Sequence, residues 1–346
     1  MPLDYGDETI DDAIVALIQL AGGTPDSDLV KEVVITALKA IEDRMSRGDL
    51  KLVNSALKEM RYAFKVFSQY RRVRKAAMFG SARIGEEAPE YRAAFEFARQ
   101  MTMHGWMVIT GAGGGIMQAG HAGAGRERSF GVNIRLPFEQ SANAIIRDDP
   151  KLINFKYFFT RKLIFVKEAD AVVLFPGGFG TMDEGFECLT LVQTGKSNPV
   201  PIVLLDAPGG DYWRAWDEYV RRQLRDRGLI SRDDLALYRI VADPVAACEE
   251  VLRFYRRYHS SRFVREKLVI RMIHPLDAES LDLLNREFGD LVASGAIEQA
   301  TALPEEAEEQ HLLPLPRLTF QFVRRNYGRL RMLIDRLNEL PIPPSA

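Results

Sequence analysis

Apolar residues recur at helical spacing through three stretches of the first 73 residues, 10–20, 29–45 and 50–70, broken at Gly22-Gly23 and Gly48 and with no strand-like alternation. Three helices are expected there. From residue 76 the pattern changes: short apolar or β-branched runs at 76–79, 106–110, 130–134, 171–175, 201–205 and 239–241 read as strands, and longer amphipathic segments at 89–104, 160–168, 181–194 and 212–227 as helices between them. Parallel strands need a crossover that is usually helical, so this alternation predicts an α/β, Rossmann-like, doubly wound parallel sheet. The unbroken run Ala171-Val172-Val173-Leu174-Phe175 fits a central strand covered on both faces. After a helix at 244–258, runs at 267–272, 297–302 and 318–322 predict strands, with helices at 279–294 and 327–340. The expected organisation is an N-terminal helical extension over 1–73, a Rossmann-like domain over 74–260 and a small C-terminal α+β appendage over 261–346. The acidic run Glu305-Glu306-Ala307-Glu308-Glu309 reads as an exposed loop, and Arg61, Lys65, Arg71, Arg72, Arg74 and Lys75 as a solvated basic face. The proline-rich stretch 341–344 reads as a frayed tail.

Composition narrows the function classes. The chain has 346 residues, 46 Lys plus Arg against 48 Asp plus Glu, and a net charge of −2, so no general field favours a nucleic-acid or membrane partner. Two cysteines, Cys188 and Cys248, make no disulfide framework, the N-terminus lacks an apolar leader, and no run reaches membrane-spanning length. A cytoplasmic location is expected. His104, His121, His259, His274 and His311 show no metal-ligand spacing; they read as surface or helix-end residues, and no metal or other cofactor is expected.

Glycine carries the chemical signal. Seven of the 26 glycines form two knots at predicted strand ends, Gly111, Gly113, Gly114 and Gly115, then Gly177, Gly178 and Gly180. Ligands of open parallel sheets bind beyond the carboxyl ends of the strands, where backbone without side chains approaches a phosphate and helix-start amides attract anions. A dinucleotide fingerprint begins at Gly111-Ala112-Gly113 but meets Ile116 at its third glycine, and the next strand ends at Arg135 rather than an acidic residue. A phosphate-binding Walker loop ending at Gly195-Lys196-Ser197 would need a glycine where Thr190 stands. In the second knot, Thr181-Met182-Asp183-Glu184 by itself reads as a capping box opening a helix. Three glycines just before it favour a ligand cradle instead, with Glu184 one turn in, beside the bound anion and facing a cationic or cation-developing part of it. Thr160-Arg161-Lys162 puts two cations at another helix start, where an anionic ligand or Glu184 relieves an unfavourable helix-dipole contact.

Pro176-Gly177-Gly178-Phe179-Gly180-Thr181-x-x-Glu184, with Arg161-Lys162 and Gly113-Gly114-Gly115-Ile116-Met117, resembles the LONELY GUY family of nucleoside 5′-monophosphate phosphoribohydrolases, formerly labelled lysine decarboxylases. The resemblance covers about residues 76–241 and extends to Gly80-Ser81, Asn133, Pro137, Glu139-Gln140 and Asn143. Compact members carry three glycines directly after the strand; Gly111-Ala112-Gly113 is closer to the longer bacterial branch. The resemblance implies hydrolysis of the N-glycosidic bond of a purine nucleoside 5′-monophosphate, AMP or a cytokinin riboside monophosphate among them, to free base and ribose 5-phosphate. It implies Glu184 and Arg161 as catalytic residues, a phosphate on Gly177, Gly178, Gly180 and Thr181, and Lys162, Gly113, Gly114, Gly115, Met117, Ser81 and Asn133 as further substrate-binding candidates. A homodimer or higher homo-oligomer is expected. The alternative is a non-catalytic protein of the same fold that binds a nucleotide-like ligand, as molybdenum-cofactor carriers do. A pyridoxal-phosphate decarboxylase reading has only Lys162 in its favour.

Overall fold

The computed structural model describes residues 4–135 and 142–342. The chain forms two compact units, residues 1–61 and 62–346. In the first, α1 (Glu8–Leu20), α2 (Ser27–Glu42) and the start of α3 (Arg47–Ser68) match the three expected helices. Asp7 caps α1 through the amides of Thr9 and Ile10, and Lys31 of α2 pairs with Asp4 and Asp11 at 2.9 Å each.

The second unit holds both sheets. Its seven-stranded parallel sheet comprises β1 (Lys75–Phe79), β2 (Met107–Thr110), β3 (Ser129–Ile134), β4 (Leu152–Phe155), β5 (Ala171–Leu174), β6 (Ile202–Leu205) and β7 (Tyr238–Val241), in the order β4-β3-β2-β1-β5-β6-β7. The crossover helices are α4 (Pro89–Met103), α5 (Ile116–Ala124), α6 (Phe158–Glu168), α7 (Phe179–Gln193) and α8 (Tyr212–Tyr219), and α9 (Pro244–Phe254) follows the last strand. The central strands are buried along their whole length, because helices cover both faces. On one face Phe97, Ala98 and Met101 of α4 pack with Val251 of α9 over Met78, Val108 and Val203. On the other, Phe67, Ile164 and Phe165, Cys188 and Trp213 pack over Phe79, Ile109 and Leu174. The sequence pattern predicts six of these strands but not β4. Its residues alternate between buried Ile153 and Phe155 and exposed positions because it lies at the edge of the sheet.

Two basic residues leave the expected solvated face. Lys75 is buried in β1 and donates to the carbonyls of Tyr70 and Val73. Arg74 lies over the Tyr255 ring, 3.5 Å from its centroid, and pairs with Asp170.

The appendage is a four-stranded antiparallel sheet, β10-β11-β9-β8, built from β8 (Tyr258–Val264), β9 (Lys267–Met272), β10 (Glu298–Ala300) and β11 (Arg317–Gln321). Helices α10 (Ala278–Phe288) and α11 (Tyr327–Glu339) complete its core. Strand β8 takes over where the sequence pattern runs the preceding helix on to residue 258. The acidic loop is not fully exposed as expected. Glu306 has no accessible surface and sits between the guanidinium groups of Arg271, at 2.7 Å, and Arg317, at 3.2 Å. Burial by itself raises its carboxyl, but the Leu303 amide, Arg317 and Arg271 together hold it below the ordinary carboxylate range. Its stabilising contribution is therefore present at neutral pH and lost as pH falls below that range. All three tryptophans, Trp106, Trp213 and Trp216, lie in the second unit, so their fluorescence reports its unfolding. Glu306→Ala leaves the buried Arg317 without its carboxylate and Arg271 with Glu309 alone, and is expected to lower stability by about 3–5 kcal/mol in denaturant titrations at pH 7; a loss under about 1 kcal/mol would contradict this account of the loop.

Candidate active site

Strands β1 and β5 are neighbours that are not consecutive in the chain, so the loops leaving their carboxyl ends diverge and open a crevice. Ser81, just after β1, ties that crevice together through its backbone. Its amide donates to the Pro176 carbonyl after β5, and its carbonyl accepts from the Ile116 amide at the start of α5, both at 3.1 Å. The approach is so close that glycine is required. Gly115 has φ +60° and a Cβ there would strike the Ser81 and Ala82 backbone, while a Cβ on Gly80 would lie 2.6 Å from Ile116.

Helix α7 begins at Phe179 with Gly178 as its N-cap and no side-chain cap. Thr181 is therefore the third helical residue, buried against Gly177, and the capping-box reading of Thr181 and Glu184 does not hold. With no cap, the first-turn amides are left for another partner. A Cβ on Gly178 or Gly180 would meet nothing within 4 Å, so the turn faces open space. The Tyr212 hydroxyl, on α8, donates to the Gly177 carbonyl and braces the turn from behind.

The buried stripe of α7 runs Thr181, Glu184, Gly185, Cys188, Val192, at helical spacing toward the sheet. The same stripe that packs Cys188 and Val192 thus carries a carboxylate into a dry position. Glu184 is 6% exposed, and burial raises its carboxyl to about 7. Arg161 and Lys162 oppose that rise, and Glu187 and Asp183 reinforce it. Arg161, on α6, places Nη1 3.8 Å from Glu184 Oε1, and its Nε donates to the Val132 carbonyl at 2.9 Å. The guanidinium lies over the Phe165 ring and against Gly111, where a Cβ would come 2.6 Å from Nη2.

The structure thus brings Arg161, Glu184 and the first glycine loop together, with Met117 packed on Gly111 and Gly113. Gly114 lies beside the Ala82 carbonyl. Ser81 lies against Gly177, and its hydroxyl accepts from the Arg83 amide. Two candidates have partners of their own: Lys162 pairs with Asp183 at 2.7 Å and Glu187 at 2.8 Å, and Asn133 donates to Asn154. Pro137, Glu139 and Gln140 lie outside the described residues. Sequence reasoning passed over Gly111 as an individual site residue, although the knot marks it, and Tyr212, which no local pattern marks.

The folded protein holds the Glu184 proton more tightly than the unfolded chain does. That preference contributes stability fully below the ordinary Glu range, and the contribution is lost as pH rises through about 7. Glu184→Gln is expected to be more stable than wild type by about 1–3 kcal/mol at pH 8, with the difference shrinking toward pH 5; thermal melts across that range that never separate would contradict the buried setting.

A family profile described as "Possible lysine decarboxylase" matches residues 114–251. A cytokinin riboside 5′-monophosphate phosphoribohydrolase of Mycobacterium tuberculosis is 30% identical over 165 residues, which is 45% of this chain and 83% of that protein. A probable enzyme of the same name from Arabidopsis thaliana is 29% identical over 146 residues, 41% of this chain and 70% of that protein. Among solved structures, a molybdenum cofactor carrier protein from Chlamydomonas reinhardtii matches 52% of this chain and 99% of its own at 20% identity and a TM-score of 0.35. On its likeness to the mycobacterial relative, the chain belongs to the LONELY GUY family of phosphoribohydrolases.

Proposed function

We propose that the protein hydrolyses the N-glycosidic bond of a purine nucleoside 5′-monophosphate, AMP or a cytokinin riboside monophosphate, releasing free base and ribose 5-phosphate. The observation that carries this reading is the Arg161–Glu184 pair beside the uncapped start of α7. A phosphate binder alone has no use for a buried carboxylate next to its anion site. The 5′-phosphate rests on the amides of residues 177–181, where the helix dipole and unpaired N–H groups favour an anion, with the Thr181 hydroxyl adjoining. That anchor sets the ribose over Glu184.

As the C1′–N bond lengthens, its electron pair leaves with the base and positive charge develops on the ribose ring. A carboxylate close by stabilises that charge strongly in a site with little water. Water oxygen bonds to C1′, its proton passes to Glu184, and a proton is returned to the departing nitrogen. A carboxyl near 7 suits a group that takes and gives a proton at neutral pH. Arg161 keeps the carboxylate in place and presents its N–H groups to ribose oxygens. We place the reaction in the cytoplasm, since both cysteines are buried and unpaired, which suits a reducing compartment. Among the described residues no helix is long and apolar enough to cross a membrane. Exposed Phe158, Phe159 and Leu163 on α6, with Phe179 and Phe186 on α7, form apolar surface that suits a homodimer.

Chromatography of free base after incubation with AMP, GMP, CMP, UMP and the matching nucleosides tests the reading. Purine monophosphates are expected to be cleaved and nucleosides much more slowly. Glu184→Gln should lose about 100-fold or more in kcat, and kcat/KM should fall below about pH 7 as Glu184 takes up its proton. Because Arg161 lowers the Glu184 carboxyl, Arg161→Ala should move that acidic limb upward. Tight AMP binding without base release would favour a nucleotide carrier instead.

A further inference from the structure

Of the surface or helix-end reading of His121, the helix end holds, since it lies in the last turn of α5, and the surface does not. It lies on α5 with no accessible surface. Every polar atom of its ring is used. Nε2 lies 3.1 Å from the Phe130 carbonyl and 3.0 Å from the Thr110 hydroxyl, and Nδ1 lies 3.1 Å from Asn143 Nδ2. A carbonyl can only accept, so Nε2 carries the proton and the bare Nδ1 accepts from the Asn143 amide. Nδ1 also lies 3.3 Å from Asn143 Oδ1, and the two N–H groups of the Asn143 amide are shared among Nδ1 and the carbonyls of Ala112, at 3.1 Å, and Gly113, at 2.9 Å. The Asn143 backbone amide donates to Ala112 as well, and the Thr110 hydroxyl accepts from the Ala112 amide.

These bonds converge on a turn in an uncommon shape. Ala112 is fully buried at φ +65°, a conformation that a residue with a Cβ keeps only where its surroundings over-determine it. Gly111, one residue earlier, is the surface against which the Arg161 guanidinium is packed. We propose that His121, through Asn143 and Thr110, is a positioning residue: it fixes the 110–113 turn and thereby holds Arg161 in register with Glu184. Among the described residues its polar partners are Thr110, Phe130 and Asn143, so it acts on that pair through them. Burial keeps the imidazole neutral, so the ring offers its bare nitrogen to the Asn143 amide as an acceptor. The inference rests on the hydrolase reading above, since register between Arg161 and Glu184 matters only where the pair does chemistry.

The test is steady-state base release from AMP by the full chain, from pH 5.5 to 8.5, with thermal melts alongside, for wild type, His121→Ala, His121→Gln and Asn143→Ala. Misplacing a catalytic group slightly is expected to lower kcat in both alanine variants by about 10–100-fold. The KM for AMP should stay within about threefold of wild type, because the phosphate cradle is on a different loop. The acidic limb should move up, as Arg161 no longer depresses the Glu184 carboxyl. His121→Gln, whose amide can donate to Phe130 and accept from Asn143, should recover most of the rate. Folded alanine variants with unchanged kcat and pH profile, a loss confined to KM, or a glutamine variant no better than alanine would each overturn the proposal. Should the alanine variants fail to fold, nitrogen NMR of histidine-labelled wild type from pH 5.5 to 8.5 decides: a ring held in one neutral tautomer throughout supports the proposal, and a ring that titrates or averages between tautomers overturns it. Wild type that releases no base removes the hydrolase reading and this inference with it, whereas active wild type with unaffected variants removes the positioning role alone.

Discussion

Two backbone hydrogen bonds of one residue, those of Ser81 with Pro176 and Ile116, set the geometry on which the site is built. They join the chain leaving β1 to the chain leaving β5 and to the first residue of α5, across the point where strand order reverses. A Cβ on Gly115 would strike the Ser81 and Ala82 backbone, one on Gly80 the Ile116 side chain and one on Gly177 the Thr181 side chain, so this close meeting accounts for all three glycines. Gly178 and Gly180 answer to a different requirement. Nothing in the fold fills the space above them, so their missing side chains leave helix amides open rather than let backbones touch. One motif thus serves two ends, packing at Gly177 and access at Gly178 and Gly180.

The same closeness decides the electrostatics. Because the buried stripe of α7 begins with Thr181 and Glu184 before turning apolar at Cys188, the helix cannot dock on the sheet without burying the carboxylate. Burial wins over the attraction of Arg161 at 3.8 Å, and Lys162 does not reverse the outcome because Asp183 and Glu187 occupy its ammonium group. Had Lys162 paired with Glu184 directly, the carboxyl would be drawn toward the ordinary range and would hold its charge too firmly to accept a proton near neutrality. Lys162 is thus better understood as a counterion for the carboxylates flanking Glu184 than as a contact for a ligand.

Much of this was legible in the sequence, for identifiable reasons. Strands buried on both faces give continuous apolar runs, so β1 and β5 announce themselves, and loops that approach one another closely are written in glycine. The edge strand β4 and the irregular entry into β8 carry no such mark, because partial exposure mixes polar residues into them. Long-range polar pairing is harder still. Glu306 lies in an acidic run indistinguishable from solvated surface until Arg271 and Arg317, 35 and 11 residues away, close on it. His121 sits among alanines and glycines, a context that says a helix is tightly packed but not what its imidazole bonds to.

Those tightly packed small residues tie the two halves of the crevice to one helix. Gly123 of α5 has the Phe95 carbonyl of α4 where its Cβ would be, and a Cβ on Gly120 would lie 3.0–3.2 Å from Met78 and Thr110, so α5 packs closely against α4 on one side and β1 and β2 on the other. A helix fixed in this way hands its position to everything bonded to its ends and flanks: Ile116 to Ser81 at one side of the crevice, and His121 to the turn behind Arg161 at the other. The glycine loop is flexible by composition, yet it is framed by a helix held on both sides. Preorganisation of the proposed anion cradle and of the Arg161–Glu184 pair therefore has a common mechanical origin in the close packing of α4 and α5, well away from either.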